Sequence, residues 1–376
     1  NMFMKKYFSV FLLIVISVSV NAQKRAFTIE DLYKVNNVST PVLSNSGEKI
    51  AFTVSESDLP KGKSITTVYV MNKNGSSLIS VSDKVPGAHS PFWSSSDDLY
   101  LINKGQVYKY SFETNELVQV TDFYAGVSDP ILSNDGRYIA FTAELFPECG
   151  TDNDCNKRFD ESSSNGPVQA YIADELLFRH WTDYKGEKES YLVLFDTKEK
   201  KYQTITSSDV LAGAYMLGGG PKFAFSPDSR VLAYVSSPEK NIANSTNTDI
   251  YLMPIGGKEA VNITLANDAW DGSPVFSPDG NYIAYKTHSI PGFEADRFRI
   301  AVYNTHTLQA EVLSESFDYT TDNLSWSSDS KSIYFLADNR GYSPVYKIDV
   351  QSKNITKVTD DKSVRGYQIN KDEKNL

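Results

Sequence analysis

FSPDGNYIAY, at residues 276–285, is the stretch of this sequence that predicts its fold. Its Ser-Pro-Asp-Gly start suits a type I turn, because proline fixes φ, aspartate bonds nearby backbone and glycine accepts the positive φ that follows. Alternating apolar residues on both sides of the turn are typical of two half-buried strands. The stretch therefore predicts a β-hairpin.

The same pattern occurs seven times in the chain. Its serine, which is an asparagine in the last copy, stands at positions 44, 94, 133, 226, 277, 327 and 370. The copies are followed by a second predicted strand pair, for example at 107–120, 191–205, 300–313 and 345–358. Four strands per unit, repeated every ~45 residues, are typical of a β-propeller blade. The alternatives, a β-sandwich or a β-solenoid, do not need this period. We therefore predict an all-β, seven-bladed β-propeller.

The spacing of the copies locates one insertion and an incomplete end. The interval between positions 133 and 226 is about twice that of a single blade, which places an insertion at 144–190 in the third blade. The last copy stops at Leu376 within its second strand, and half a hairpin would expose unpaired backbone. We expect the propeller domain to occupy 23–376, with a truncated seventh blade at 366–376.

The N-terminus has the features of an export signal. Lys5 and Lys6 precede an apolar run at 7–20, and Val20-Asn21-Ala22 offers a small-residue cleavage site. The run is shorter than the ~20 residues that a spanning helix needs. We predict a signal peptide at 1–22, with an uncleaved anchor as the alternative. The mature chain is expected to be exported, periplasmic or secreted, and to leave the membrane after cleavage.

Charge and residue usage argue against several classes of function. The chain has 37 basic and 47 acidic residues, a net charge of −10, which disfavours nucleic-acid binding. Two cysteines and four scattered histidines form no pattern of metal ligands, so neither a metal nor a cofactor is expected. The sequence has no Gly-x-Ser-x-Gly motif and no phosphate-binding glycine loop. We therefore assign no catalytic residue in this chain.

The insertion carries the remaining chemical signals. Cys149 and Cys155 lie six positions apart in a polar loop of a chain predicted to be exported, which favours a disulfide over two free thiols. Asn165-Gly166-Pro167 predicts a helix start, and apolar spacing predicts a helix over 168–184. Apolar side chains on this helix would be costly to expose, so we expect it to dock on another surface.

Three features together resemble a known family. They are the blade repeat (of the PD40 or Tol type), the opening segment FTIEDL at 27–32, and Arg179-His180-Trp181 within a third-blade insertion. They resemble the N-terminal propeller of exported serine peptidases of the prolyl oligopeptidase family, in the branch of dipeptidyl peptidase V and the acylaminoacyl peptidases. The resemblance covers 27–376. It implies a C-terminal α/β-hydrolase domain, absent from this chain, that carries the catalytic Ser, Asp and His, and a peptide substrate held between the two domains. The fragment itself is expected to be inactive.

The resemblance also implies candidate substrate-binding residues. Related dipeptidyl peptidases hold the free N-terminus of the substrate with propeller carboxylates, because an ammonium in a partly dry cavity needs a paired anion. The candidates here are Glu144 and Glu175. Arg179 is a candidate for a substrate carbonyl, with His180 and Trp181 beside it. A Glu175–Arg179 ion pair on a helix surface and simple packing of His180 and Trp181 are the structural alternatives.

Two functions therefore stay open at the level of the sequence. The first is the substrate-gating and N-terminus-recognising propeller part of an exported serine exopeptidase, a dipeptidyl peptidase. The second is a free-standing periplasmic propeller that binds a protein or peptide partner, as Tol-type propellers do. A homodimer is compatible with either.

Overall fold

Nearly all regular structure in the chain is β. The structure, a computed structural model, describes residues 25–370 except 84, 165, 167–169, 171, 175, 177–178, 181–182, 185, 207–219 and 240–241. These residues form six four-stranded sheets, in each of which the strands follow one another in sequence. Every strand pair whose register is known within them is antiparallel.

The first three sheets occupy the N-terminal half of the described chain. They consist of β1 (Asn37–Leu43), β2 (Lys49–Asp58), β3 (Lys63–Asn72) and β4 (Ile79–Ser80); β5 (His89–Trp93), β6 (Leu99–Asn103), β7 (Gln106–Ser111) and β8 (Glu116–Gln119); and β9 (Ser128–Leu132), β10 (Tyr138–Leu145), β13 (Glu189–Asp196) and β14 (Lys201–Thr204). Between β10 and β13 lies a separate two-stranded ribbon of β11 (Arg179–His180) and β12 (Asp183–Tyr184).

The last three sheets have the same order. They consist of β15 (Phe223–Phe225), β16 (Val231–Ser236), β17 (Asp249–Pro254) and β18 (Val261–Asn262); β19 (Asp271–Phe276), β20 (Tyr282–Thr287), β21 (Arg299–Asn304) and β22 (Gln309–Val312); and β23 (Thr321–Trp326), β24 (Ser332–Ala337), β25 (Val345–Asp349) and β26 (Ile355–Lys357). The predicted all-β class and the predicted second strand pairs are thus confirmed. The seventh blade stays a prediction, because residues 371–376 lie outside the described residues, as does the predicted signal peptide at 1–22.

The repeated serine explains why the turn sequence recurs. Ser277 is fully buried, and its hydroxyl accepts a hydrogen bond from the Tyr282 N–H at 2.9 Å. The same hydroxyl donates to Asp279 Oδ1 at 2.6 Å, and that carboxylate accepts the Asn281 N–H at 3.0 Å. The same three bonds occur in the copies at 133, 226 and 327. One serine and one aspartate therefore close each of these hairpins.

Successive sheets are neighbours in space as well as in sequence. Five apolar clusters each join two successive sheets. Representative pairs are Val68 with Leu99, Tyr100 with Phe141, Leu192 with Leu232, Val235 with Ile283, and Val302 with Phe335. After the sixth sheet, Tyr367 and Ile369 pack on Tyr334 of that sheet. The chain then reaches Gly47 of the first repeat, where a Cβ would collide with the side chain of Asn370.

The described chain divides into two compact units. The first contains 25–37 and 55–65, and the second contains 38–54 and 66–370. The first unit holds α1 (Ile29–Leu32), which begins at a capping box between Thr28 and Asp31, and a 3-10 turn at Leu59–Lys61. A second 3-10 turn, Ile242–Asn244, belongs to the other unit. None of the helices in the described part of the chain is both long and apolar enough to cross a membrane.

The helix of the insertion does not lie where the sequence predicted it. It is α2 (Asn153–Ser164), and the Asp152 carboxylate accepts the Cys155 N–H at 2.8 Å near its start. The predicted helix over 168–184 is wrong where this range is described, because β11 and β12 pair there. Ile172 and Leu176 are 91% and 64% exposed. The apolar side chains described in this range therefore do not form the buried face from which a short helix draws its stability.

Candidate functional site

The two ends of the sheets in the second unit differ in regularity. One end carries the uniform repeat turns. At the other end, which we call the variable end, the connections between second and third strands are 104–105, 146–188, 237–248, 288–298 and 338–344 in the second to sixth sheets. In repeat folds, insertions that differ between repeats collect on one face, often the binding face. The variable end is therefore the candidate functional surface.

The first strands bend as they leave the variable end. Pairing of the first with the second strand is interrupted in the second, third, fifth and sixth sheets. Near each interruption, and also in the first sheet, a non-glycine residue has positive φ four positions before the repeat serine. These residues are Thr40, Ser90, Asp129, Ser273 and Asn323, with φ between 47° and 57°. Such bulges re-aim side chains and are enriched beside functional sites. The repeat pattern gave no indication of them.

Ion pairs join successive sheets at the variable end. Lys286 Nζ in the fifth sheet lies 2.8 Å from Asp322 Oδ1 in the sixth, and Lys222 Nζ lies 3.0 Å from Asp129 Oδ2 in the third. The Lys286 side chain is only 1% exposed, whereas that of Asp322 is 59% exposed. The buried ammonium is also 4.6 Å from the centroid of the Phe298 ring, within cation–π range. A buried charge thus supports a carboxylate that remains accessible to solvent.

Two buried carboxylates lie at the junction of the fourth and fifth sheets. Asp271 begins β19 and Asp249 begins β17, and each is 1% exposed. Asn267 Nδ2 donates to both carboxylate oxygens of Asp271, at 3.1 Å each. Burial raises the pKa of Asp271 to about 7, with a further contribution from the charge of Asp249. Burial raises the pKa of Asp249 as well. Strongly perturbed buried acids are over-represented at functional sites.

The structure places some of the predicted site residues at the variable end and leaves others outside its description. Glu144 is the last residue but one of β10, faces Ser190 in register and is exposed. Arg179 is exposed on β11, and His180 is its neighbour on that strand. Glu175 and Trp181 lie outside the described residues. Glu144 therefore lies in β10 just before the connection 146–188 of the third sheet, and Arg179 lies in the second half of that connection.

The first part of the insertion is fixed to the sheets. Cys149 and Cys155 are joined by a disulfide, with their Cα atoms 5.4 Å apart. Asn153 Oδ1 accepts the Tyr124 N–H at 2.9 Å, and its Nδ2 donates to the Asp122 carbonyl at 3.1 Å. Both partners lie between β8 and β9. The disulfide loop and the start of α2 are thus positioned by backbone groups next to the second and third sheets.

The described residues hold no cluster of three or more His, Cys, Asp or Glu side chains that could bind a metal ion. The carboxylate oxygens of Asp249 and Asp271 accept hydrogen bonds from Asn262, Thr264 and Asn267.

Comparison with known proteins gives relatives along most of the chain. No family model matches it. Dipeptidyl-peptidase 5 of Porphyromonas gingivalis is 26% identical over 345 residues, which cover 88% of this chain and 49% of the relative. Dipeptidyl-peptidase 5 of Porphyromonas endodontalis is 25% identical over 353 residues, covering 90% and 49%.

Solved structures share the fold. The acylaminoacyl peptidase of Pyrococcus horikoshii superposes with a TM-score of 0.64 at 12% identity, covering 89% of this chain and 48% of that one. The β-propeller domain of the Trilobed protease from Pyrococcus furiosus gives a TM-score of 0.57 at 12% identity, covering 87% and 84%. The predicted resemblance to the propeller domain of a prolyl oligopeptidase-family peptidase is therefore confirmed. The chain spans about half the length of the curated relatives it matches.

Proposed function

We propose that this chain is the substrate-gating and N-terminus-recognising propeller part of an exported serine exopeptidase that releases dipeptides. The observation that carries the proposal is the sequence match to dipeptidyl-peptidase 5 along 88% of the chain. The acylaminoacyl peptidase has a similar propeller-like fold. This likeness supports the proposal only at the level of the fold. No comparable observation favours a free-standing propeller that binds a protein partner.

In this proposal the catalytic Ser, Asp and His belong to an α/β-hydrolase domain, and the variable end of the sheets faces it. Support comes from the uneven connections at that end and from the polar groups gathered there. The end of β10, with exposed Glu144, and the long third-sheet connection, with exposed Arg179, would line the cleft between the domains. The chain by itself would hydrolyse no peptide, because it supplies no nucleophile elbow. The predicted signal peptide at 1–22 would direct export.

Glu144 and Glu175 are the proposed anchors for the free N-terminus of the substrate. A carboxylate next to an ammonium contributes more in a cleft that excludes water than on an open surface, because screening is weaker there. A group that binds a ligand must be accessible, and Glu144 is exposed in the described structure. Arg179, in the connection that follows β10, would donate a hydrogen bond to a substrate carbonyl.

The test uses the natural protein that contains both domains. Glu144→Gln and Glu175→Gln remove the charge of each carboxylate while keeping its size, and Glu148→Gln, in the turn before the disulfide, is the matched control. Loss of one charged contact should raise KM about tenfold or more for peptides with a free N-terminus and spare N-acylated ones. If both variants cleave free peptides like the parent, neither glutamate is the anchor. Failure of the parent to cleave any peptide would contradict the proposed function itself.

A further inference from the structure

The fifth sheet holds a buried histidine whose ring nitrogens are unused. His288 directly follows β20, begins the connection 288–298 and is 2% exposed. Its ring stacks on Phe298 with centroids 4.2 Å apart, and the Trp270 ring centroid lies 5.8 Å away. Among the described residues, neither Nδ1 nor Nε2 of His288 has a hydrogen-bond partner, and the same holds for Trp270 Nε1. The imidazole therefore sits in an aromatic site in which the described residues offer no acceptor for a second proton.

Several charged groups lie around this aromatic cluster. The ammonium of Lys286 lies 4.6 Å from the Phe298 centroid and 5.7 Å from that of Trp270, so it shares both rings with the histidine. The charged and titratable groups packed around the cluster are Asp271 of β19, Lys286 of β20, Asp296 and Arg297 of the connection, Arg299 of β21, Glu315 beyond β22, and Asp322 of β23. Burial lowers the pKa of His288, and Lys286 and Arg299 lower it further against the opposing effect of Asp296.

The connection that follows His288 is held together by one carboxylate. Asp296 accepts the N–H groups of Ser289 at 2.7 Å and Ile290 at 3.1 Å, and pairs with Arg299 at 3.2 Å. Although burial acts against it, these contacts keep the pKa of Asp296 at about 2. The carboxylate therefore stays ionised through mildly acidic pH and keeps the two ends of 289–296 joined.

We propose that His288 is a proton-operated latch that fastens the connection 288–298 to the aromatic cluster at the variable end. When the ring takes up a second proton, it carries two N–H donors and a positive charge in an apolar site beside Lys286. Leaving such groups buried and unsatisfied costs several kcal/mol, so the ring moves to water and the connection is released from Trp270. The latch acts at the variable end whatever that end binds.

The direction of the pH dependence follows from the two states. A released His288 has the ordinary pKa of about 6.5, and the latched ring has a lower one. The released form therefore binds the proton first as the pH falls. The latch is fully closed above about pH 6.5 and weakens progressively below that value.

Hydrogen–deuterium exchange of peptides covering 289–298 tests the latch, with rates corrected for the intrinsic effect of pH. His288→Phe keeps a stacked ring that cannot titrate, and His306→Phe changes a surface histidine as the control. Protection in the parent and in His306→Phe should fall about tenfold or more between about pH 7 and about pH 5, and in His288→Phe it should not change.

Two results would overturn the latch. Undiminished protection of the parent at the lower pH excludes release, whether or not any variant folds. Equal loss of protection in the parent and in a folded His288→Phe protein would assign the change to another group.

Discussion

Replacing Asp271 by asparagine should change how the stability of this protein depends on pH. The carboxyl is 1% exposed, and burial raises its pKa to about 7 from a model-peptide value of 3.8. The folded protein therefore holds this proton over a pH range in which the unfolded chain has lost it. Stability is greatest below the unfolded value and falls as the pH rises towards 7, which is the reverse of the usual aspartate.

The magnitude follows from the shift. Three pKa units correspond to about 4 kcal/mol of unfolding free energy lost between about pH 4 and about pH 8. Asparagine cannot ionise, so the variant does not lose this free energy as the pH rises. At about pH 4 the variant should be less stable than the parent by roughly 1–3 kcal/mol. The reason is that Asn267 donates to both side-chain oxygens of Asp271, whereas an asparagine side chain has only one oxygen. The two stability curves should therefore cross.

Urea unfolding followed by tryptophan fluorescence, at half-unit steps of pH, measures this difference. Other titrating groups cancel when the parent is subtracted from the variant, which leaves the contribution of position 271. Asp268→Asn removes a carboxylate from an exposed position three residues away and is the matched control, which should not reproduce the crossing of the two stability curves. A difference for Asp271→Asn that does not vary with pH would refute the argument that burial holds this carboxyl protonated.

Two further perturbations probe packing at the same end of the sheets. Replacing Cys149 and Cys155 together by serine should lower the free energy of unfolding by no more than about 2 kcal/mol, because so short a loop constrains the unfolded chain little. A larger loss, measured by urea titration, would show that the disulfide also stabilises the folded structure around it. Asp322→Asn should lower the free energy of unfolding by about 3 kcal/mol, because it removes the carboxylate that offsets a buried ammonium. Lys286→Met should lower it less, because it removes the buried charge itself. A larger loss for Lys286→Met than for Asp322→Asn would contradict this reasoning.

The β-structure was predictable because its signals are local. A serine and an aspartate two positions apart close the hairpins at 133, 226, 277 and 327, as Ser277 and Asp279 do, and these residues are visible in the sequence. The alternation of apolar residues around them reports the burial of one strand face. Both signals can be read from neighbouring residues, without knowledge of any distant contact.

The insertion was misread because its signals depend on context. The apolar spacing over 168–184 is compatible with a helix, but among the side chains described there Ile172 and Leu176 are mostly exposed, and β11 and β12 pair instead. The helix that does form starts inside the disulfide loop, where Asp152 accepts the Cys155 N–H. Aspartate before a polar run was the available signal for that cap.

The cluster around Lys286 could not be found from the sequence. Trp270, Lys286, His288 and Phe298 come from three different strands or their ends, and each is an unremarkable residue in its own segment. Their meeting depends on the pairing of β19, β20 and β21. The same is true of the raised pKa of Asp271, which comes from burial that only the assembled sheets provide.

Product analysis of the natural full-length protein, in which we propose that a catalytic domain accompanies this chain, tests the central claim most directly. Peptides with a free N-terminus, and the same peptides N-acylated, are incubated with the purified protein, and the released fragments are identified by mass spectrometry. We expect dipeptides to be released in succession from the free N-terminus and the acylated peptides to be cleaved poorly. Release of single residues, preference for the acylated peptides or absence of any cleavage would contradict the account.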